Sequence, residues 1–267
     1  MIERNRQSGR LLMRRLIPLV MSPVLAQQEH RYNDLCVSME KDKLTSLHIY
    51  HGSDHIVEKP TFGVGKPYND YGRGFYCSEH VELSKEWACS SGTDGYANHY
   101  QLDMTGLSIL NLNDPEYNIL NWLAILLENR KFNVSDGMPQ QAKTYLLENF
   151  MVDYKDYDII KGYRADDSYF SYAGDFVNGT LSLSDLSEAM HLGKLGEQVV
   201  LKSKKAFDAL TFVESIEASC DDYFTKYKSR DEEARKRYRE IAAQPMAQNK
   251  TYVIDIIRNK WKNGKGI

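Results

Sequence analysis

Two short segments combine residue types that suit a binding cleft for a flat, polar ligand. The first is Tyr50-His51-Gly52-Ser53, and the second runs from Asp70 to Ser78 and is rich in glycine and aromatic residues. Aromatic side chains stack on rings, and a glycine lets backbone groups approach a ligand closely. The chain also has 18 tyrosines, which suit either such a cleft or the edge of a core. The first hypothesis is therefore a ring-binding cleft.

These segments resemble the ADP-ribosyltransferase superfamily, in particular its His-Tyr-Glu branch of poly-ADP-ribose polymerases and diphtheria-type toxins. There a first strand ends in His-Gly-Ser or His-Gly-Thr, and a glycine-rich loop leads into a strand with Gly-Lys-Gly-Ile-Tyr-Phe. A serine and an aromatic residue follow that tyrosine after eight and eleven positions. Here Tyr76 is followed at those offsets by Ser84 and Trp87, some 25 residues after His51.

The resemblance implies that NAD is the substrate and that no metal takes part. Cleavage of NAD⁺ at its glycosidic bond expels nicotinamide and builds positive charge on the ribose, which a negative group must stabilise. Tyr76 and Trp87 are the candidates for the two faces of the nicotinamide ring. Gly52 and Ser84 would contact its carboxamide. His51 would bind a ribose hydroxyl, with Ser53 a weaker candidate on the same turn.

Each of these residues also has a purely structural interpretation. Tyr76 and Trp87 could be core aromatic residues that join a strand to a helix, and His51 could belong to a turn. Taken singly, the structural interpretation is favoured. Their combined spacing favours the nucleotide site.

The catalytic acid depends on the direction of one side chain in a late strand. Because side chains alternate faces in a strand, Glu197 shares a face with Val199, and Gln198 shares the other face with Val200. We expect Glu197 to face the cleft, as the glutamate that opens this strand does in active members of the branch. Gln198 is the alternative, and a shift by one residue would exchange them. With Gln198 inside, we expect weak turnover or NAD binding alone.

The chain over residues 47–213 also resembles a bacterial family called domain of unknown function 3990. Its segments match Tyr50 to Ser53, Asp70 to Tyr76, Ile160 to Asp167, and Glu197 to Val200. That family is thought to share the ADP-ribosyltransferase fold. Two neighbouring acids fall in the third segment, Asp166 and Asp167. One is expected to cap a turn, and the other to hold the site or face the acceptor.

Hydrophobic patterning predicts short strands at 47–51, 75–77, 100–103, 108–111, 157–162, 198–202 and 209–213, the third and fourth paired with each other. Helices are predicted at 81–89, 116–130, 139–150 and 183–190, and from Glu214 to the end. This order predicts an α+β domain. The resemblance implies two small packed sheets around an NAD cleft. We divide the chain into an amino-terminal arm (1–43), an ADP-ribosyltransferase-like domain (44–213) and a carboxy-terminal helical extension (214–267).

Composition fits an ordinary globular protein, with 42% hydrophobic and 27% charged residues and a net charge of −3. This charge argues against a nucleic-acid binder, so nucleic acid is expected only as an acceptor. The basic arm and its apolar run at 16–26 imitate a signal peptide, but the run is too short to span a bilayer. Translation could instead start at Met39. A cytoplasmic protein is favoured; export follows if residues 1–26 act as a signal.

The leading hypothesis is an NAD-dependent ADP-ribosyltransferase that modifies a macromolecular acceptor, as a bacterial effector or as a toxin held by an antitoxin or regulatory protein. The first rival is an NAD glycohydrolase, which uses water as the acceptor. The second rival is a catalytically silent module that binds NAD or ADP-ribose.

Overall fold

The computed structural model describes residues 45–132, 134–165, 167–191, 196–245 and 249–265, without the side chains of 167–169. The expectations for the arm at 1–43 lie outside these residues. The part from Thr45 onward forms one compact unit. None of its described helices is both long enough and apolar enough to cross a membrane.

Seven strands and eight helices follow one another in the described ranges. The strands are β1 (Ser46–Ser53), β2 (Phe75–Cys77), β3 (Gly95–Asp103), β4 (Ile109–Asn111), β5 (Ile159–Tyr163), β6 (Glu197–Leu201) and β7 (Leu210–Ala218). The helices are α1 (Val81–Ala88), α2 (Ile119–Asn129), α3 (Met138–Phe150), α4 (Asp167–Val177), α5 (Leu183–Ala189), α6 (Lys204–Asp208), α7 (Cys220–Ala242) and α8 (Val253–Arg258).

The strands form two small sheets, which confirms the mixed α+β class. The first sheet has the antiparallel order β1-β3-β7, and the second has the order β2-β6-β5-β4, in which β4 and β5 are parallel. A backbone bridge joins the sheets, since Tyr50 N donates to Ser78 O over 2.8 Å and Ser78 N donates to Tyr50 O over 2.9 Å. This bridge places the ends of β1 and β2 side by side.

Side chains alternate between the two faces of the second sheet, and each face belongs to a separate hydrophobic core. One face of the second sheet packs against the first sheet, through a cluster that includes Ile49, Val199 and Leu201. The other face packs against helices α2, α3 and α4, in a larger cluster that includes Val200. Inward-facing side chains of β1 share the face of Ile49, so His51 is the next residue on that face.

Two predictions about the strands were wrong. The segments 100–103 and 108–111 do not pair with each other, because β3 pairs with β1 and β7 while β4 runs parallel to β5. The chain is also not helical from Glu214, since β7 continues to Ala218 and α7 begins at Cys220. Residues 214–218 pair with β3 and therefore stay in the sheet, so the boundary we drew at 213 falls inside a strand.

Candidate functional site

A cleft of about 880 Å³ opens where the ends of the two sheets meet. Its size is typical of small-molecule sites. The walls come from β1, β2, β6, α1, α7 and the long loop between β1 and β2. The lining residues used below are His51, Asp70, Arg73, Tyr76, Trp87, Arg130, Gln198, Lys202 and Tyr227.

His51 presents a hydrogen-bond acceptor to this cleft. Its Nδ1 lies 2.8 Å from the backbone oxygen of Tyr76. A carbonyl oxygen can only accept, so Nδ1 carries the proton and Nε2 of the neutral ring is left as an acceptor. Burial lowers the pKa of His51, against the hydrogen bond to Tyr76. The imidazole is therefore neutral near pH 7.

Gln198, and not Glu197, lines the cleft. The Gln198 side chain is buried, whereas Glu197 is exposed at the start of β6. Val199 and Leu201 pack between the two sheets, so the face of Gln198 points toward the helices and the cleft. Our expectation that Glu197 faces the cleft was wrong, and the alternative placement is the observed one.

The Gln198 amide is held in one orientation by Asp70. Gln198 Nε2 donates to Asp70 Oδ2 over 2.9 Å. The amide oxygen, Oε1, is buried and has no hydrogen-bond partner among the described residues. Buried polar atoms are nearly always satisfied, so an unpaired acceptor that lines a cleft indicates a missing donor.

Asp70 is a site residue to which the sequence analysis gave no role. It is 5% exposed, and its Oδ2 also accepts from Ala165 N over 2.8 Å. Burial raises the pKa of Asp70, while the Ala165 amide and the Arg130 guanidinium, whose Nε lies 3.6 Å from Oδ1, oppose that shift. The sequence did contain one indication for Asp70. It lies directly before the Tyr71-Gly72 turn, and a charged residue ahead of a buried strand suggests a functional residue.

Tyr76 lines the cleft with its ring, while its hydroxyl is held by the preceding loop. The hydroxyl donates to Gly72 O over 2.6 Å and accepts from Tyr71 N over 3.0 Å. Burial raises the pKa of Tyr76 far above its ordinary value, so the hydroxyl stays protonated. Because the hydroxyl is hydrogen-bonded to the loop, the ring is the part of Tyr76 that can contact a ligand.

Trp87 reaches the cleft from α1 and contacts a cation. The Arg164 guanidinium lies 4.7 Å from the centre of the indole ring. The Tyr227 ring from α7 is 6.2 Å away, at an interplanar angle of 32°. Trp87 therefore lies in an aromatic and cationic corner of the cleft.

Three of the residues expected to contact the ligand do not line the cleft, because Gly52 and Ser84 lie between β1 and α1 and Ser53 joins β1 to β3. Ser84 is buried, and its Oγ donates to Tyr50 O over 3.0 Å. Gly52 lies so close to α1 that an added Cβ would overlap the Ser84 carbonyl oxygen. Ser53 Oγ accepts from Asn98 Nδ2 over 2.9 Å. The structure brings together His51, Tyr76, Trp87 and Gln198, but leaves out Gly52, Ser53, Ser84 and Glu197.

Among the described residues, cations outnumber acids on the cleft wall. Arg73, Arg130 and Lys202 line it there together with one acid, Asp70. Lys202 Nζ donates to the backbone oxygens of Tyr71 and Arg73, the latter over 2.7 Å. Burial lowers the pKa of Lys202 to about 8. The cleft is thus positive at neutral pH and suits an anionic ligand.

No group of three or more histidine, cysteine, aspartate or glutamate side chains in the described ranges is arranged to hold a metal ion. Asp166 lies outside those ranges, and Asp167 begins α4 without a described side chain. The roles expected for these two acids stay predictions.

Comparison with known proteins gives one match. Residues 47–212 match the family model described as "Protein of unknown function (DUF3990)". No curated protein and no solved structure matches the chain. The matched segment contains both sheets almost entirely and ends before α7. Because it covers more than half of the 267 residues, the chain belongs to the DUF3990 family.

Proposed function

We propose that this protein binds NAD⁺ in the cleft between its two sheets, with an ADP-ribosyltransferase-like fold, and transfers ADP-ribose to a macromolecular acceptor. The observation that carries the proposal is a pair of cleft-lining residues with hydrogen-bond acceptors: His51, whose Nε2 carries no proton, and Gln198, whose buried Oε1 has no partner among the described residues. Two such acceptors suit the two hydroxyl groups of a ribose, each of which can donate.

The remaining groups on the wall fit the rest of NAD⁺. The diphosphate requires cations, and Arg73, Arg130 and Lys202 supply them. The nicotinamide ring requires flat apolar surfaces, and the aromatic residues of the wall, which include Tyr76, Trp87 and Tyr227, can supply these. The cleft therefore has fitting partners for a ribose, for the diphosphate and for the nicotinamide ring.

The reaction would break the bond between the ribose C1′ and the nicotinamide nitrogen. The bonding electron pair leaves with nicotinamide, which becomes neutral, and C1′ becomes positive. A nucleophile of the acceptor then forms a bond to C1′ and loses its proton. Asp70 would supply the negative charge that stabilises this cation, and Gln198, fixed by Asp70, would orient the ribose.

Two alternatives use the same cleft. With water as the acceptor, the protein would be an NAD glycohydrolase. With no turnover, it would be a binding module for NAD or ADP-ribose. The second alternative is favoured by one observation, that a neutral amide at Gln198 occupies the place of the expected glutamate.

The test is release of nicotinamide from NAD⁺, followed by chromatography, with and without a cell lysate. We compare wild type with Asp70→Asn, which removes the charge, and with Glu197→Gln, which makes the same kind of change at an exposed position. We expect release by wild type that falls about 100-fold in Asp70→Asn and is unchanged in Glu197→Gln. Thermal unfolding of each variant checks that it folds.

Each result separates the candidates. Release that requires lysate supports a transferase, and labelled NAD⁺ then identifies the acceptor. Release without lysate supports the glycohydrolase. NAD⁺ binding without release supports the silent module, and absence of NAD⁺ binding overturns the proposal.

A further inference from the structure

We infer that helix α7 is part of the ligand site, and that Tyr227 binds the nicotinamide ring together with Trp87. This inference rests on the proposed function. It concerns a part of the chain that the family match does not include, because the matched segment ends at residue 212 and α7 begins at Cys220.

One stripe of α7 faces the rest of the protein. Tyr223, Tyr227 and Arg230 follow one another at intervals of four and three residues, so they share one side of the helix. The same stripe continues with the three buried residues of this helix, Ala234, Tyr238 and Ile241. The opposite side carries exposed charges.

The second half of the stripe anchors α7 to the helical core. The ring of Tyr238 stacks on that of Tyr172, with 3.6 Å between the ring centres, and its hydroxyl donates to Asp175. Both partners belong to α4. The helix is therefore packed along its length, and its first half is held over α1.

Polar contacts fix α7 against α1 beside the cleft. Arg230 forms an ion pair with Glu86, which directly precedes Trp87, and both side chains are less than one-fifth exposed. Two turns earlier on α7, the Tyr223 hydroxyl accepts from Lys85 Nζ over 3.2 Å. Tyr227 lies between these two contacts on the helix. The position of its ring relative to Trp87 is therefore set from both sides.

The geometry of the two rings suits a shared planar ligand. Both rings line the cleft, and their centres are 6.2 Å apart. Stacked carbon atoms lie about 3.5 Å apart, so a ring between two others needs about 7 Å. The pair is close to that separation and needs to part by less than about 1 Å. We assign the nicotinamide ring here because Trp87 packs beside Gly52, the chain neighbour of His51, and this ring is bonded to the ribose that His51 would hold.

The assignment is tested by titration calorimetry with two ligands, NAD⁺ and ADP-ribose, which lacks nicotinamide. In Tyr227→Ala we expect NAD⁺ to bind about tenfold more weakly and ADP-ribose to bind within about twofold of wild type. Tyr227→Phe keeps the ring and is expected to bind both ligands like wild type. Phe224→Ala is the matched control, because it removes an aromatic ring from the same helix at a position that does not line the cleft.

Three results would overturn the assignment. An unchanged affinity of Tyr227→Ala for NAD⁺ shows that the ring makes no contact. An equal loss for both ligands shows that nicotinamide is not what Tyr227 binds. The same selective loss in Phe224→Ala shows an indirect effect of helix position. In each of these cases wild type still binds NAD⁺, whereas failure of wild type to bind it overturns the proposed function and this assignment together.

Discussion

Gln198 donates its amide proton to the carboxylate of Asp70 over 2.9 Å, although the two residues are 128 positions apart in the chain. This contact links β6 to the loop before β2. It fixes the direction of a glutamine that would otherwise be free to rotate, and it keeps a carboxylate within the cleft.

The first prediction concerns this pair. Gln198→Glu places a second carboxylate beside Asp70, and two adjacent buried carboxylates repel each other. We expect the free energy of unfolding, measured in urea, to fall by about 1–3 kcal/mol. The double variant Asp70→Asn, Gln198→Glu restores one charge and one amide, so it should recover most of the loss. Equal stability of the single and double variants would contradict the pairing.

The second prediction concerns pH and His51. Burial lowers the pKa of His51 in the folded chain, whereas the unfolded chain keeps the ordinary value near 6.5. As the pH falls, the unfolded state therefore takes up the proton first. The contribution of His51 to the free energy of unfolding is complete above pH 6.5 and decreases as the pH falls from there to the lower pKa of the folded state. His51→Gln should show a smaller decrease of the free energy of unfolding between pH 7 and pH 5. The prediction is wrong if the two decreases are equal.

The third prediction concerns Lys202 and anion binding. Because burial lowers the pKa of Lys202 to about 8, its ammonium loses its proton as pH rises from 7 to 9. We expect the affinity for NAD⁺ to decline over that range, since a neutral amine balances no phosphate charge. Lys202→Gln should bind more weakly at pH 7 and show little change up to pH 9. A parallel decline in both proteins would assign the effect to another group.

The fourth prediction concerns the contact between β1 and α1. An added methyl group at Gly52 would overlap the Ser84 carbonyl, whereas one at Gly174 would meet Phe132 at an ordinary 3.5 Å. Gly52→Ala should therefore lower the free energy of unfolding by about 3 kcal/mol. Gly174→Ala, in helix α4, should leave it unchanged or raise it by up to about 1 kcal/mol. Similar values for the two variants would refute the close packing of α1 on β1.

The fifth prediction concerns the ion pair between α1 and α7. Arg230→Met leaves Glu86, which is 12% exposed, without its cation, and should cost about 2–3 kcal/mol of stability. Arg237→Met is the control on the same helix, because the pair between Arg237 and Glu233 is more than half exposed and should contribute at most about 0.5 kcal/mol. Urea denaturation measures both.

The sequence alone predicted several elements and part of the cleft. Helices α1 and α3 begin and end close to the predicted positions, because their apolar residues recur at helical spacing. His51 and Tyr76 each belong to a short motif that the sequence singled out, and the backbone bridge between Tyr50 and Ser78 brings the two motifs together. The i,i+4 pairs on α7, such as Arg235 with Asp231, depend only on spacing along one helix and are therefore readable from the sequence.

The tertiary structure decided which face of β6 meets the cleft and which distant residues complete it. Alternation along the strand left two choices, Glu197 or Gln198, and packing of Val199 and Leu201 between the sheets selected Gln198. Asp70 and Tyr227 reach the cleft only because the loop before β2 and helix α7 fold back over it. Local spacing fixes the faces of an element, but the direction of each face depends on partners more than a hundred residues away.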